Sequence, residues 1–335
     1  MKSKISIAVL GSTGYVGLEL VYLLSKIDNI SINFLGSENS ANKKINLIDP
    51  RIKKNLPNIK LNSQFKETNI EILFLALPHK VSQNYVKKFH NKLKIIDLSA
   101  DFRLDNELVY NQNYNQKHSC PELLKEFVYG LFEVNFNLIK NSNNIAVPGC
   151  YPTSVLLPLI PLLKFKIIKS SNIIIDSKSG YSGAGKNFDK SNIFKSKIDL
   201  NFYNYNTNQH RHICEIKQEL QKFTDDDVLF SFNPHILPIY RGMMSTMYCD
   251  LTKKFSIKEI NKILKKFYKD YENIEIIEDN TRGDFNQIQH TNKCIIKLFK
   301  HYSSSKIILV SLIDNLQKGA AGQAIQCMSA IIKLM

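Results

Sequence analysis

The residues best placed to do chemistry begin with a cysteine on a turn. Cys150 stands in Pro148-Gly149-Cys150-Tyr151-Pro152-Thr153-Ser154, between the apolar run Ile145-Ala146-Val147 and the apolar run Val155 to Ile160. The first run reads as a strand and the second as the opening turns of a buried helix, so the thiol falls at or beside a helix N-terminus. Backbone N–H groups and the helix dipole favour an anion there, which promotes the thiolate, the nucleophilic form. Pro152 agrees, because proline is accepted in a first helical turn and not later. The bland alternative is a small buried cysteine that fills space.

A second constellation is His210-Arg211-His212, at the opening of another helix. Two histidines at i, i+2 do not share a helix face, and no carboxylate follows at zinc-ligand spacing. A catalytic base beside an anion clamp fits better, and either histidine could hold the role. Glycines form the third. Gly11-Ser12-Thr13-Gly14-Tyr15-Val16-Gly17 follows the apolar run Ile5 to Leu10 and precedes Leu18 to Leu24. Strand, glycine turn and helix together make a dinucleotide fingerprint, with the pyrophosphate resting on the helix start.

The elements that must position these groups follow from the pattern. Strands are expected at Ile30 to Leu35, Ile72 to Leu77 and Ile95 to Leu98, in a parallel sheet whose ligands sit at the strands' carboxyl ends. The second strand ends in Gly36 and Ser37, with Ser40, Lys43 and Lys44 close behind. Hydroxyls and cations suit a 2′-phosphate, so NADP is expected over NAD, with Glu38 the one dissenting residue. Arg103 follows a strand end, where a planar guanidinium suits phosphate or carboxylate. Beyond Cys150, a strand at 172–179 runs into Gly180-Tyr181-Ser182-Gly183-Ala184-Gly185-Lys186, a second glycine turn, read either as a phosphate loop or as a flexible one. Residues 187–208 read as irregular. Strands at 228–232 and 242–251 flank an ordered loop from Pro234 to Gly242, and more are expected at 294–300 and 307–313. Ser256-Ile257-Lys258-Glu259 is a capping box for a helix to about Tyr268. Small residues in Asp314 to Ala324 let a final helix approach a ligand closely.

A chain of 335 residues suggests two domains. The formal charge of +15 is spread over lysines scattered along the chain. It shows no basic stripe with interleaved aromatics, so a nucleic-acid binder on a Rossmann-like scaffold is the weaker reading. The six cysteines are widely spaced with no CxxC pair, which argues against a zinc site and a disulfide framework and suits a reducing, cytoplasmic compartment. No apolar run is long enough for a membrane span.

Taken together, Gly11 to Leu20, Asp97 to Arg103, Tyr129-Gly130-Leu131, Pro148 to Thr153, Ser179 to Lys186, His210 to Ile216, Pro234 to Gly242 and Asn315 to Gln326 resemble the N-acetyl-gamma-glutamyl-phosphate reductases, relatives of aspartate-semialdehyde dehydrogenase. The resemblance implies a Rossmann-like NADP-binding domain (1–149 with 314–335) and an α+β catalytic and oligomerisation domain (150–313) with a mostly antiparallel sheet. It implies Cys150 as nucleophile and His212, ahead of His210, as acid and base. It places NADPH on the Gly11–Gly17 turn with Ser37 and Ser40, and on Ser182, Gly183, Asn315 and Gly319. Arg103, Lys186, Arg211 and Arg241 are left to hold the phosphate and carboxylate of a small acyl-phosphate substrate. A homo-oligomer is expected. An aspartyl or N-acetyl-aminoadipyl phosphate reductase on the same fold is the near alternative. Phe132 and Cys214 stand where the family usually has proline, and Lys186 where it has arginine.

Overall fold

A computed structural model of the chain describes residues 4–196, 198–278 and 281–332. It separates into two compact units, one holding residues up to Pro148 and from Ala320 onward, the other Gly149–Gly319. Asp314 to Gly319 therefore belongs to the second unit, where the domain boundary expected at 313/314 put it in the first. The reason is local, since Asp314 pairs with Arg241 and Asn315 with Gly242 and Ser182, all in the second unit.

The first unit is built on β1 (Ile5–Leu10), α1 (Tyr15–Leu24), β2 (Ile30–Gly36), β3 (Ile72–Leu75), α2 (Val81–Phe89), β4 (Lys94–Asp97), α3 (Glu107–Tyr114), β5 (Val128–Tyr129), α4 (Phe132–Ile139) and β6 (Asn144–Ala146). The strands form one sheet in the order β2-β1-β3-β4-β6-β5, and every pairing is parallel. Parallel strands are covered on both faces, which is why Ile7 to Leu10 and Ile72 to Leu75 are unbroken buried apolar runs. The C-terminal helix Gly322–Ile331 packs on α1 and α4. Gln323 Nε2 and Cys327 Sγ both donate to the Gly130 carbonyl, at 3.1 and 3.4 Å.

The second unit contains α5 (Cys150–Lys164), β7 (Ile173–Gly180), β8 (Tyr203–Asn204), α6 (His212–Gln221), β9 (Phe230–Leu237), β10 (Met243–Asp250), α7 (Ile257–Phe267), β11 (Ile274–Ile277), β12 (Cys294–Lys300) and β13 (Lys306–Ile313). Its sheet runs β11-β12-β13-β10-β7-β9-β8, with parallel pairing at β11–β12 and β7–β9 and antiparallel pairing elsewhere. The first part of the expected loop, Pro234 to Leu237, is instead the second half of β9, and the loop itself is confined to 238–242. Pro234 directs its carbonyl to the Tyr205 amide just past the two-residue β8. Proline has no N–H to return to the Tyr205 carbonyl, and the β8 pairing ends there, at Asn204.

Helix α5 is buried from Tyr151 to Leu163 and runs through two interior prolines, Pro158 and Pro161. Pro161 leaves the Leu157 carbonyl without its helical N–H, and the Tyr268 hydroxyl fills that place at 2.6 Å. Helix α7 opens on the expected capping box, with the Glu259 amide donating to Ser256 Oγ and the Ser256 amide donating to Glu259 Oε2. Among the described residues, no helix is long and apolar enough to cross a membrane.

Candidate active site

In the first unit, the turn after β1 is shaped by what its glycines lack. Gly11 has φ +76°, and a Cβ there would lie 2.2 Å from the Ala76 carbonyl oxygen. A Cβ on Gly17 would lie 2.1 Å from the Gly11 carbonyl oxygen, so α1 can close on the strand end only with glycine at that position. Gly14 caps α1 without a side-chain hydrogen bond, and no acidic residue sits in the first turn. The positive end of the helix is thus left for an external anion. Ser12 Oγ donates to the Gly36 carbonyl at 3.0 Å, and the Thr13 and Ser37 hydroxyls meet at 2.6 Å, which ties the turn to the end of β2. Tyr15 and Val16, at the start of α1, are half-buried, as is Ser40, three residues beyond Ser37.

Asn62 is a member of this turn that sequence reasoning missed. Its Oδ1 accepts from the Gly11 amide at 3.2 Å, which turns its NH2 toward Glu38 Oε1 at 2.8 Å. Gly36 makes room, since a Cβ there would lie 2.3 Å from Asn62 Oδ1. The acidic residue that spoke against NADP is therefore held by a neutral amide. Asn62 lies in a polar stretch with no periodicity, and no sequence signal marks it.

In the second unit, Cys150 is the first residue of α5, half-exposed, with Gly149 as a cap that makes no side-chain hydrogen bond. This is the placement expected from Pro152. The Gly149 amide donates to Glu215 Oε1 at 2.9 Å. Glu215 lies three residues after His212, so both project from one face of α6, and α6 packs on α5. His212 opens α6 and is 7% exposed. The nucleophile turn and the histidine turn are thereby pinned together by a buried carboxylate that the sequence reading left unassigned, although the i, i+3 spacing from His212 was available as a signal.

The cofactor candidates of this unit are linked to one another, and one of them, Gly319, touches the nucleophile. A Cβ on Gly319 would lie 2.7 Å from Cys150 Cβ, so the backbone at 319 lies directly on the nucleophile. Asn315 receives the Gly242 amide at 2.8 Å and donates to Ser182 Oγ at 2.9 Å, with Gly183 alongside. The second glycine turn is not an open anion nest. The amides of Gly180, Tyr181 and Ser182 donate to the carbonyls of Gly242, Ile239 and Tyr240.

The basic candidates divide by burial. Arg103 is 7% exposed, and its guanidinium donates to the Val147 and Leu98 carbonyls, holding the ends of β6 and β4. Arg241 is 3% exposed and pairs with buried Asp314 at 3.1 Å, with His290 also in contact at 2.5 Å. Asp314 in turn receives the amides of His290, Leu316 and Gln317, so Arg241 supports the turn that carries Asn315 and Gly319. Arg211 and Lys186 are exposed. Phe132 and Cys214 lie in the first turns of α4 and α6, where proline and other residues interchange because no helical N–H is needed. Burial and the neighbouring Glu215 push the Cys214 thiol up to about 12, which makes it inert.

The family profile described as "Semialdehyde dehydrogenase, NAD binding domain" matches residues 6–142, and that described as "Semialdehyde dehydrogenase, dimerisation domain" matches residues 150–315. N-acetyl-gamma-glutamyl-phosphate reductase of Ehrlichia canis (strain Jake) is 41% identical over 329 residues, covering 97% of this chain and 94% of that protein. The protein of the same name from Caldicellulosiruptor bescii is 42% identical over 332 residues, with the same coverage. Among solved structures, aspartate semialdehyde dehydrogenase II from Vibrio cholerae matches 99% of both chains with a TM-score of 0.75 at 17% identity, a likeness of fold. On sequence and fold together, the chain belongs to the semialdehyde dehydrogenase family, among the N-acetyl-gamma-glutamyl-phosphate reductases.

Proposed function

We propose that this chain reduces N-acetyl-gamma-glutamyl phosphate to the corresponding semialdehyde with release of phosphate, through a thioester on Cys150. The observation that carries the reading is the nucleophile turn itself. A half-exposed cysteine begins a buried helix, faces a histidine helix bound to it through Glu215, and has glycine backbone against its Cβ. The alternatives with aspartyl or N-acetyl-aminoadipyl phosphate share this chemistry, and the identities to the N-acetyl-gamma-glutamyl-phosphate reductases favour the first.

Cys150 Sγ attacks the acyl carbon, the S–C bond forms, and the bond from carbon to the phosphate oxygen breaks. The N–H ends of the α5 start are suited to the oxyanion that develops. Phosphate leaves on basic side chains, for which exposed Arg211 and Lys186 are the better candidates. His212 takes and returns the proton as the tetrahedral adducts on sulfur form and collapse, and the thiolate is regenerated when the aldehyde departs. The chemistry supplied by NADPH, when bound, is a hydride to the acyl carbon. The glycine turn fits such a group. Gly11, Gly14 and Gly17 with Ser12, Thr13, Tyr15 and Val16 are suited to the pyrophosphate, Ser37 and Ser40 to the adenosine end, and Ser182, Gly183, Asn315 and Gly319 to the nicotinamide end.

We assign the protein to the cytoplasm and to a homo-oligomer. The face of the second sheet away from α5 leaves Ile174 51% exposed, and Ile198, Leu200 and Phe202 of the same unit are exposed as well. A second copy of the chain is the occupant that a domain of the dimerisation type calls for. The test of function is phosphate-dependent NADP reduction with N-acetyl-glutamate semialdehyde, beside aspartate semialdehyde. Preference for the first, abolished by Cys150→Ser, supports the reading; equal or better use of aspartate semialdehyde refutes it.

A further inference from the structure

His210 and His212 sit two residues apart, with ring centroids 4.7 Å apart, and each is 7% exposed. His210 Nδ1 accepts the backbone N–H of His212 at 3.1 Å. An Nδ1 that accepts carries no proton, so the neutral ring must be protonated at Nε2. Nε2 meets the Tyr205 hydroxyl at 3.3 Å. Tyr205 donates to the Tyr151 hydroxyl at 3.4 Å, and Tyr151 donates to the His235 carbonyl at 3.2 Å. The donors and acceptors run one way through the whole chain. It begins at the backbone of His212 and passes through Tyr151, the residue directly after Cys150. The ring is 7% exposed and boxed in by Tyr151 from α5, Tyr205 from the loop before α6 and Phe232 from β9.

We propose that His210 is a positioning residue for His212, through the Nδ1 bond to its backbone N–H, and takes no part in proton transfer. This deepens the functional reading and rests on Cys150 and His212 as the reacting pair. Protonating His210 at Nδ1 would break the bond that fixes the first turn of α6. Burial and the adjacent Arg211 push the ring down to about 4, which keeps it neutral and the bond intact at neutral pH. The charged and titratable groups around it are Arg211, His212, Tyr205 and Tyr151, and none is a carboxylate that would favour the imidazolium.

The geometry yields an ordering of variants that a merely structural role or an acid–base role would not. In His210→Asn, Oδ1 takes the place of Nδ1 and can still accept the His212 amide; in His210→Phe nothing can. Both are compared with wild type and His212→Asn for kcat, KM, the pH dependence of kcat, and thermal midpoint. The expected result is a kcat within roughly 5-fold of wild type for His210→Asn. For His210→Phe a loss of about 10²-fold is expected, the scale of a 1 Å misplacement of a reacting group. KM and the shape of the pH profile should hold in both. Equal losses in both variants, matching His212→Asn and erasing the same limb of the pH profile, would overturn the proposal by making His210 the proton carrier. Two variants both near wild type would overturn it by removing any role for the bond. A wild-type protein without turnover overturns the functional reading and this inference with it.

Discussion

Replacing Gly319 by alanine tests whether backbone packing sets the position of the nucleophile. The added Cβ would lie 2.7 Å from Cys150 Cβ, 3.2 Å from Cys150 Cα and 3.4 Å from the Asp314 carbonyl oxygen. Carbon atoms in good contact are about 3.5–4.0 Å apart, so roughly 1 Å must be found. Neither side yields readily. Cys150 begins a helix buried almost throughout, and the Gly319 amide is bonded to the Asp314 carbonyl at 3.0 Å, with Asp314 itself held by Arg241 and three backbone amides. Overpacking of this kind costs about 1–3 kcal/mol of stability. A displacement of about 1 Å at the reacting sulfur costs on the order of 10²-fold in rate. The assay is kcat in the phosphate-dependent direction, together with the iodoacetamide reaction rate of Cys150 and the thermal midpoint. Gly319→Ala with kcat within about twofold of wild type and an unchanged alkylation rate would show that this contact does not set the position of the thiol.

Other consequences follow from buried polar groups. Burial and Asp101 raise the Asp97 carboxyl to about 7, so between the ordinary value near 4 and pH 7 the folded state holds a proton that the unfolded state has lost. Stability should therefore fall as pH rises through that window, by at most about 4 kcal/mol from this group, and Asp97→Asn should flatten the decline. Urea unfolding at pH 5 and pH 8 measures both, and a wild type more stable at pH 8, with Asp97→Asn showing the same rise, would contradict it. Glu215→Ala strips the acceptor from the buried Gly149 amide and should cost about 1–3 kcal/mol, with much of it recovered in Glu215→Gln; equal midpoints for the two variants would deny the bond its role. Asn62→Ala frees Glu38 and should weaken NADP+ binding relative to NAD+ by about 10-fold, the scale of one like-charge contact near a surface. Fluorescence titration gives the ratio, which cancels the shared loss at the Gly11 amide, and a ratio that stays put in Asn62→Ala sinks the idea.

Much of this architecture is legible in the amino-acid order where one local rule decides the outcome. The α7 capping box, the Gly11–Gly17 turn and the helix start at Cys150 are of that kind, because cap chemistry, missing Cβ atoms and proline placement act within a few residues. Where partners are distant in sequence, the order is silent. Pro234 reads as a loop until the short β8 is seen to end where the proline cannot return a hydrogen bond. β5, β8 and β11 span two to four residues and carry too little alternation to register. Arg103 and Arg241 have the right chemistry for anions, yet their burial against carbonyls and Asp314 is set by tertiary packing. Asn62 and Tyr205 became visible only when the residues they hold were placed beside them, whereas Glu215 carried a signal in its spacing from His212.

The central claim is the covalent step at Cys150, and mass spectrometry of the enzyme mixed with N-acetyl-gamma-glutamyl phosphate in the absence of NADPH reads it most directly. The account predicts an N-acetylglutamyl adduct on the peptide containing Cys150, labile to hydroxylamine, discharged on adding NADPH and absent in Cys150→Ser. Turnover without any adduct on that peptide, or the same adduct in Cys150→Ser, would contradict it.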